Sequence, residues 1–172
     1  MSESESPVRS RTFTWQDPHQ SAKIGITLSG FDYLKAMTSG EVAPPPIAAT
    51  LGFDTPAEVE PGKVTVFFEP FEYHYNPIGS VHGGVIAALL DTASACAVHS
   101  MLPAGTAYTT LELKINYIRA VQVKTGPMRC IGTVINLGRR TGVAEAKLWD
   151  AQDRLYAHCT QTCLILGDGQ KS

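Results

Sequence analysis

The stretch Asn76–Val98, NPIGSVHGGVIAALLDTASACAV, decides how the rest of the chain is read. From Gly83 onward it is apolar or small at almost every position, and it runs toward Pro103 and Gly105, residues that stop helices. This predicts a buried helix over about Gly83–Met101. Ala87, Ala88, Ala93, Ser94, Ala95, Cys96 and Ala97 are small enough for strands to approach its backbone. Asp91 breaks the pattern. It puts a carboxylate in the middle with no Lys or Arg within a turn, and a buried acid is costly unless paired or used.

Around this helix the rhythm is that of strands. KVTVFFEPF from Lys63 alternates Val64, Val66 and Phe68 against Thr65, Phe67 and Glu69. Four further runs follow the helix: Thr109–Ile118, Pro127–Leu137, Gly142–Asp150 and Leu155–Leu166. In the first, Leu111, Leu113, Ile115 and Tyr117 alternate with Glu112, Lys114 and Asn116. Asn136–Arg140 and Asp150–Asp153 have hairpin chemistry, and short turns imply antiparallel pairing. One long helix among such strands must lie across one sheet face, with the sheet curling around it. The expected class is α+β: a curled antiparallel sheet of five to six strands around a central helix.

Upstream, Gly30–Thr38 places Phe31, Leu34 and Met37 at spacing three, predicting a short amphipathic helix that ends at Gly40 and Pro44–Pro46. Ile47–Phe53 reads as a second helical piece. The expected organisation is a flexible tail over 1–25, a helical segment over 26–60, the sheet domain over 61–167 and a flexible end over 168–172.

Composition excludes several classes. Apolar residues make up 44% of the 172-residue chain and charged residues 17%, which suits a globular core. A net charge of −2 favours neither nucleic acid nor an anionic membrane as partner. No apolar run is long enough to span a membrane, and the N-terminus lacks a secretory apolar stretch, so a cytoplasmic protein is expected. Cys96, Cys130, Cys159 and Cys163 sit in apolar patterns and read as small buried residues rather than a metal or redox site.

The helix start carries its own chemistry. Its first N–H groups lack intrahelical acceptors and bear partial positive charge. Glycine there admits close approach, so Gly83 and Gly84 are candidate donors to a carbonyl oxygen or oxyanion; a tight loop-to-helix entry is the alternative. Asp91 is then a candidate general base or nucleophile, unless it faces solvent or bonds to another element. Gly84 and Asp91 are seven residues apart, hence on nearly the same helix face but about 10 Å apart along the axis. One carbonyl cannot meet both within a chain. If both act on it, they come from different subunits, and a homodimer with sites at its interface is expected.

The HGG–Asp91 helix preceded by NPIG, with GEVAPPPIAATLGF before it and YTTLELKINYIRAV and GRRTGVAEAKLWDAQDRLYAHCTQTCLIL after it, resembles the hotdog-fold acyl-CoA thioesterases of the phenylacetate-pathway (PaaI-like) type. The resemblance spans roughly Pro44–Leu166. It implies a hotdog dimer, commonly paired into a tetramer, that hydrolyses an acyl-CoA thioester with no metal or cofactor. Asp91 matches the family's catalytic acid, Gly83 the donor that polarises the thioester C=O, and Asn76 the loop residue holding thioester or water. Thr110 falls where relatives carry a serine or threonine near the catalytic water. His82 shapes the loop. Arg139 and Arg140 after Gly138 are candidates for the CoA phosphates, a contact arginine suits, or else lie in a solvated turn; Gly84 is a further candidate substrate contact. Two alternatives remain open: a hotdog enoyl-thioester hydratase or dehydratase using His82 with Asp91, and an acyl-CoA-binding module without catalysis.

Overall fold

The computed structural model describes residues 7–167. Three short helices come first: α1 (Pro18–Gly25), α2 (Gly30–Ser39) and α3 (Pro46–Leu51). Strands β1 (Phe53–Glu60) and β2 (Lys63–Phe68) precede the long helix α4 (Gly83–His99). Then come β3 (Ala107–Tyr117), β4 (Met128–Leu137), β5 (Thr141–Asp150) and β6 (Leu155–Leu166). The six strands form one sheet in the order β1-β2-β4-β5-β6-β3, and every neighbouring pair is antiparallel. The sheet curls so far that α4 touches all six strands, which is the hotdog fold.

Small side chains make this wrap possible. A Cβ on Gly132 of β4 would collide with the Ala93 carbonyl oxygen, so strand and helix backbones are in direct contact there. Leu89, Leu90, Ala93 and Ala97 of α4 pack with Val64, Val66 and Phe68 of β2 and with Cys130, Leu148 and Cys159 from the other strands. At the far end of α4, Gly30 plays the same part. Its N–H donates to the Leu102 carbonyl (2.9 Å), and a Cβ would collide with the carbonyl of His99, so α2 is seated against the end of α4. Cys130, Cys159 and Cys163 are buried free thiols, and Cys96 is half-buried and free.

Two boundaries differ from the sequence expectation. β1 begins at Phe53, inside the segment expected to be helical over 26–60, so the sheet includes residues before 61. Pro56 hides this strand in the sequence, since proline cannot donate to a ladder. β1 is an edge strand, and its register shifts on both sides of Pro56, which is where a proline is tolerated. Within the expected tail over 1–25, α1 forms with Asp17 as its N-cap, accepting from His19 N–H at 3.0 Å. The expected flexible end over 168–172 lies outside the described residues.

Candidate active site

Asp91 is half-buried in the middle of α4 and is not unpaired. Its Oδ1 accepts from Thr110 Oγ1 (2.9 Å) on β3 and from Gln161 Nε2 (2.8 Å) on β6. The second Gln161 N–H reaches Thr110 Oγ1 at 2.7 Å, and Ser94 Oγ donates to Gln161 Oε1. Gln161 has no solvent exposure at all. Four side chains from three elements thus form one closed set, and the ring of partners fixes which end of the amide is nitrogen. Asp91 Oδ2 has no hydrogen-bond partner among the described residues. A carboxylate with one oxygen held and the other open is arranged to accept a proton or attack carbon through that open oxygen.

A β-bulge aims Thr110. In the β3–β6 ladder Thr110 pairs with Cys163 and Glu112 with Thr162, so Leu111 is the extra residue. Thr110 therefore faces inward beside Gln161, while Leu113 and Ile115 stay in the core. Leu111, grouped with Leu113 by simple alternation, is instead 57% exposed. Gln161 was missed by sequence reasoning, although a signal existed. Cys159, Gln161 and Cys163 share one face of β6, so an amide between two inward cysteines had to be buried and bonded.

The other sequence candidates gather at the start of α4. His82 is the N-cap, and its Nδ1 accepts from Gly84 N–H at 2.9 Å. That bond consumes the Gly84 donor and makes His82 a cap, as a loop-shaping role requires. The Gly83 N–H has no acceptor among the described residues and stays available. Tyr117 closes over Gly83: its hydroxyl donates to the Gly83 carbonyl (2.9 Å), and a Cβ on Gly83 would press on the ring at 3.3 Å. Asn76 holds its own loop. Its Oδ1 accepts from Ile78 N–H (3.1 Å) and Ser80 N–H (3.3 Å), and its Nδ2 meets Ser80 Oγ at 3.1 Å. Asn76, Gly83, Tyr117 and Arg119 line a cavity of about 280 Å³.

Asp91 does not line that cavity. It lies eight residues beyond Gly83, about 12 Å along the helix axis. Gly138, Arg139 and Arg140 are exposed in the β4–β5 turn. A Cβ on Gly142, just after that turn, would meet Val98, so the turn sits at the opposite end of α4 from Gly83. One chain therefore holds three separated parts: the Asp91 set, the Gly83–Asn76 end, and the arginine turn.

The thioesterase superfamily model matches residues 78–157, from the Asn76 loop through the first residues of β6. ComA2 of Bacillus subtilis is 31% identical over 90 residues, covering 52% of this chain and 68% of its own. The chain belongs to the thioesterase superfamily. In class it is a thioester hydrolase, in keeping with a second relative, the 1,4-dihydroxy-2-naphthoyl-CoA hydrolase of Listeria monocytogenes, 28% identical over 67% of this chain and 90% of that one. Among solved structures, a phenylacetic acid degradation-related protein of Ralstonia eutropha is 29% identical with a TM-score of 0.69, covering 77% of this chain and 98% of that one. The smu.793 protein of Streptococcus mutans, solved bound to acetyl CoA, is 28% identical with a TM-score of 0.61, covering 67% and 89%. The expected likeness to PaaI-type thioesterases is therefore correct, and so is the hotdog fold.

No helix among the described residues of this thioesterase is long and apolar enough to cross a membrane.

Proposed function

We propose that this thioesterase hydrolyses acyl-CoA thioesters and that Asp91 is its catalytic acid. The observation that carries the reading is the half-anchored carboxylate: Oδ1 held by Thr110 and Gln161, Oδ2 open. As general base, Oδ2 takes a proton from water while the water oxygen bonds to the thioester carbon. The C–S bond then breaks, and the CoA thiolate leaves and takes up a proton. As nucleophile, Oδ2 attacks the carbon itself, the C–S bond breaks and expels the CoA thiolate, which takes up a proton, and water then cleaves the resulting anhydride to give the free acid and restore the Asp91 carboxylate. Either route needs a donor on the carbonyl oxygen, and the free Gly83 N–H at a helix start fits that task. Asn76 is assigned to the thioester or the water, and Thr110 to positioning at Asp91. The reaction uses water and no metal or cofactor. Relatives whose names carry CoA support the choice of substrate.

The working unit is a homodimer, further paired into a tetramer. The separation of about 12 Å between Gly83 and Asp91 favours a site completed by a second subunit. β3 is an edge strand whose outer side no strand pairs among the described residues, and Leu111, Tyr117 and Ile118 are exposed at or beside it, which suits edge-to-edge pairing. In that arrangement Gly138, Arg139 and Arg140 serve the CoA phosphates. The His82 cap weighs against a hydratase, since Nδ1 is already occupied by Gly84 N–H. The test is release of free thiol from a panel of acyl-CoAs, with light scattering for the mass in solution. Thiol release by a dimer or larger species is expected. Acyl-CoA binding without thiol release at any chain length would overturn the hydrolase reading, and an active monomer would overturn the shared site.

A further inference from the structure

A second cavity, of about 330 Å³, lies between the N-terminal helices and α4. Its outer wall includes Leu34 and Met37 of α2, Ala48 of α3 and Phe53 of β1. All four precede residue 78, where the match to the thioesterase superfamily model begins. The inner wall is Thr92, Cys96 and His99 of α4 with Tyr108 of β3.

Two positions tie the cavity to the Asp91 set. Thr92 follows Asp91 in α4, and Tyr108 stands two residues before Thr110 in β3. The wall also offers nothing to balance an anion: among the described residues no Lys or Arg lines it, and Asp54 is its only carboxylate. Burial pushes His99 down to about 4, so the imidazole is uncharged at neutral pH. Burial, and next the nearby charge of Asp91, push the Cys96 thiol up to about 12, so it stays protonated. Burial likewise holds the Tyr108 hydroxyl well above its ordinary range, with the charge of Asp91 among the smaller causes. Thr92 and Tyr108 thus bring this wall alongside the Asp91–Thr110 pair.

We infer that this cavity is the acyl pocket, taking the uncharged apolar tail of the thioester whose carbonyl meets Asp91, with the chain's own N-terminal helices as its outer wall. The inference rests on the thioesterase reading above. It excludes the CoA phosphates from this space, because nothing in the wall balances an anion. It also excludes acyl groups that end in a carboxylate. Met37 and Ala48 then set tail length, being buried wall residues whose enlargement shortens the space.

The experiment measures kcat/KM by thiol release for acetyl-, butanoyl-, hexanoyl-, octanoyl- and succinyl-CoA. In the wild type, kcat/KM rises about fourfold for each methylene buried, and succinyl-CoA falls below butanoyl-CoA. Met37→Trp and Ala48→Phe, each confirmed as folded by circular dichroism, lower the octanoyl-to-acetyl ratio by about tenfold or more. The ratio is internal to each variant, so a general loss of activity does not mimic it. A flat wild-type profile, or an unchanged ratio in whichever variant folds, overturns the pocket while leaving the hydrolase standing. No thiol released from any substrate overturns the hydrolase reading itself.

Discussion

Asp91 in the middle of α4 and Asp150 at the β5–β6 turn are both hydrogen-bonded aspartates, and they differ in one respect. Asp150 has no exposure, and both its oxygens are occupied: Oδ1 accepts from Gln152 N–H and Arg154 N–H (each 2.9 Å), and Oδ2 accepts from Arg154 Nε (2.6 Å). Burial would raise its pKa, but the Arg154 and Gln152 bonds outweigh it and hold the carboxyl down at about 2. Asp91 has one oxygen filled and one open. A fully satisfied carboxylate is fixed as a turn lock. A half-satisfied one is oriented by the fold yet still has lone pairs to use. The difference between these two aspartates is the open oxygen, not the presence of hydrogen bonds.

The largest effect is expected from Asp91→Asn. The amide oxygen can still accept from Thr110 and Gln161, so fold and assembly persist, while the open side loses its basicity. Turnover should fall by about 10²- to 10⁴-fold with an unchanged melting temperature, measured by thiol release and thermal melts. Near wild-type turnover would remove Asp91 from the chemistry.

Gln161→Met sharpens the same contrast by releasing the anchor without touching the acid. Methionine is close in volume but cannot donate, so Asp91 keeps only Thr110 and can swing. A drop in kcat of about 10²-fold with little change in KM is expected, since displacement by about 1 Å costs that much. Ser94 also loses its acceptor at Gln161 Oε1 but keeps the Leu90 carbonyl at 2.7 Å. A KM effect alone would show that Gln161 shapes the substrate site rather than orienting the acid.

Asp150→Asn inverts the result. It should lower the melting temperature by several degrees and leave kcat at assay temperature unchanged. The wild-type protein gives a related test in acid. The Asp150 pKa is lower in the folded state than its ordinary 3.8, so its stabilisation is complete above that value and is lost as pH falls toward about 2. Chemical denaturation between pH 5 and pH 2 should show the Asp150→Asn and wild-type curves converging as pH falls. The smallest effect is His82→Ala. It removes the cap on Gly84 N–H and should cost about 1 kcal/mol by denaturant titration.

Much of this was legible in the sequence, for identifiable reasons. Helix α4 was readable because apolar periodicity and its stop signals are local, and β3 to β6 because alternation and hairpin turns are local. Asp91 stood out for the same reason, as the one charge in an apolar run. Thr110 reached the site list only through family resemblance. Its inward aim depends on the bulge after it, which simple alternation counts in the wrong phase.

The sequence by itself determined the central helix, the strands β2 to β6 and the placing of one carboxylate inside that helix, because each is written in short-range patterns of burial and charge. Tertiary structure alone decided that Gln161 and Thr110 hold one oxygen of Asp91. It also decided that His82 takes the Gly84 N–H while the Gly83 N–H has no acceptor among the described residues, that Pro56 lies in an edge strand, and that α2, α3 and β1 wall a cavity against α4. These facts join residues up to about 70 positions apart through register, a bulge and helix packing. Such contacts depend on how strands pair and where the chain closes on itself, and no short window of sequence carries that information.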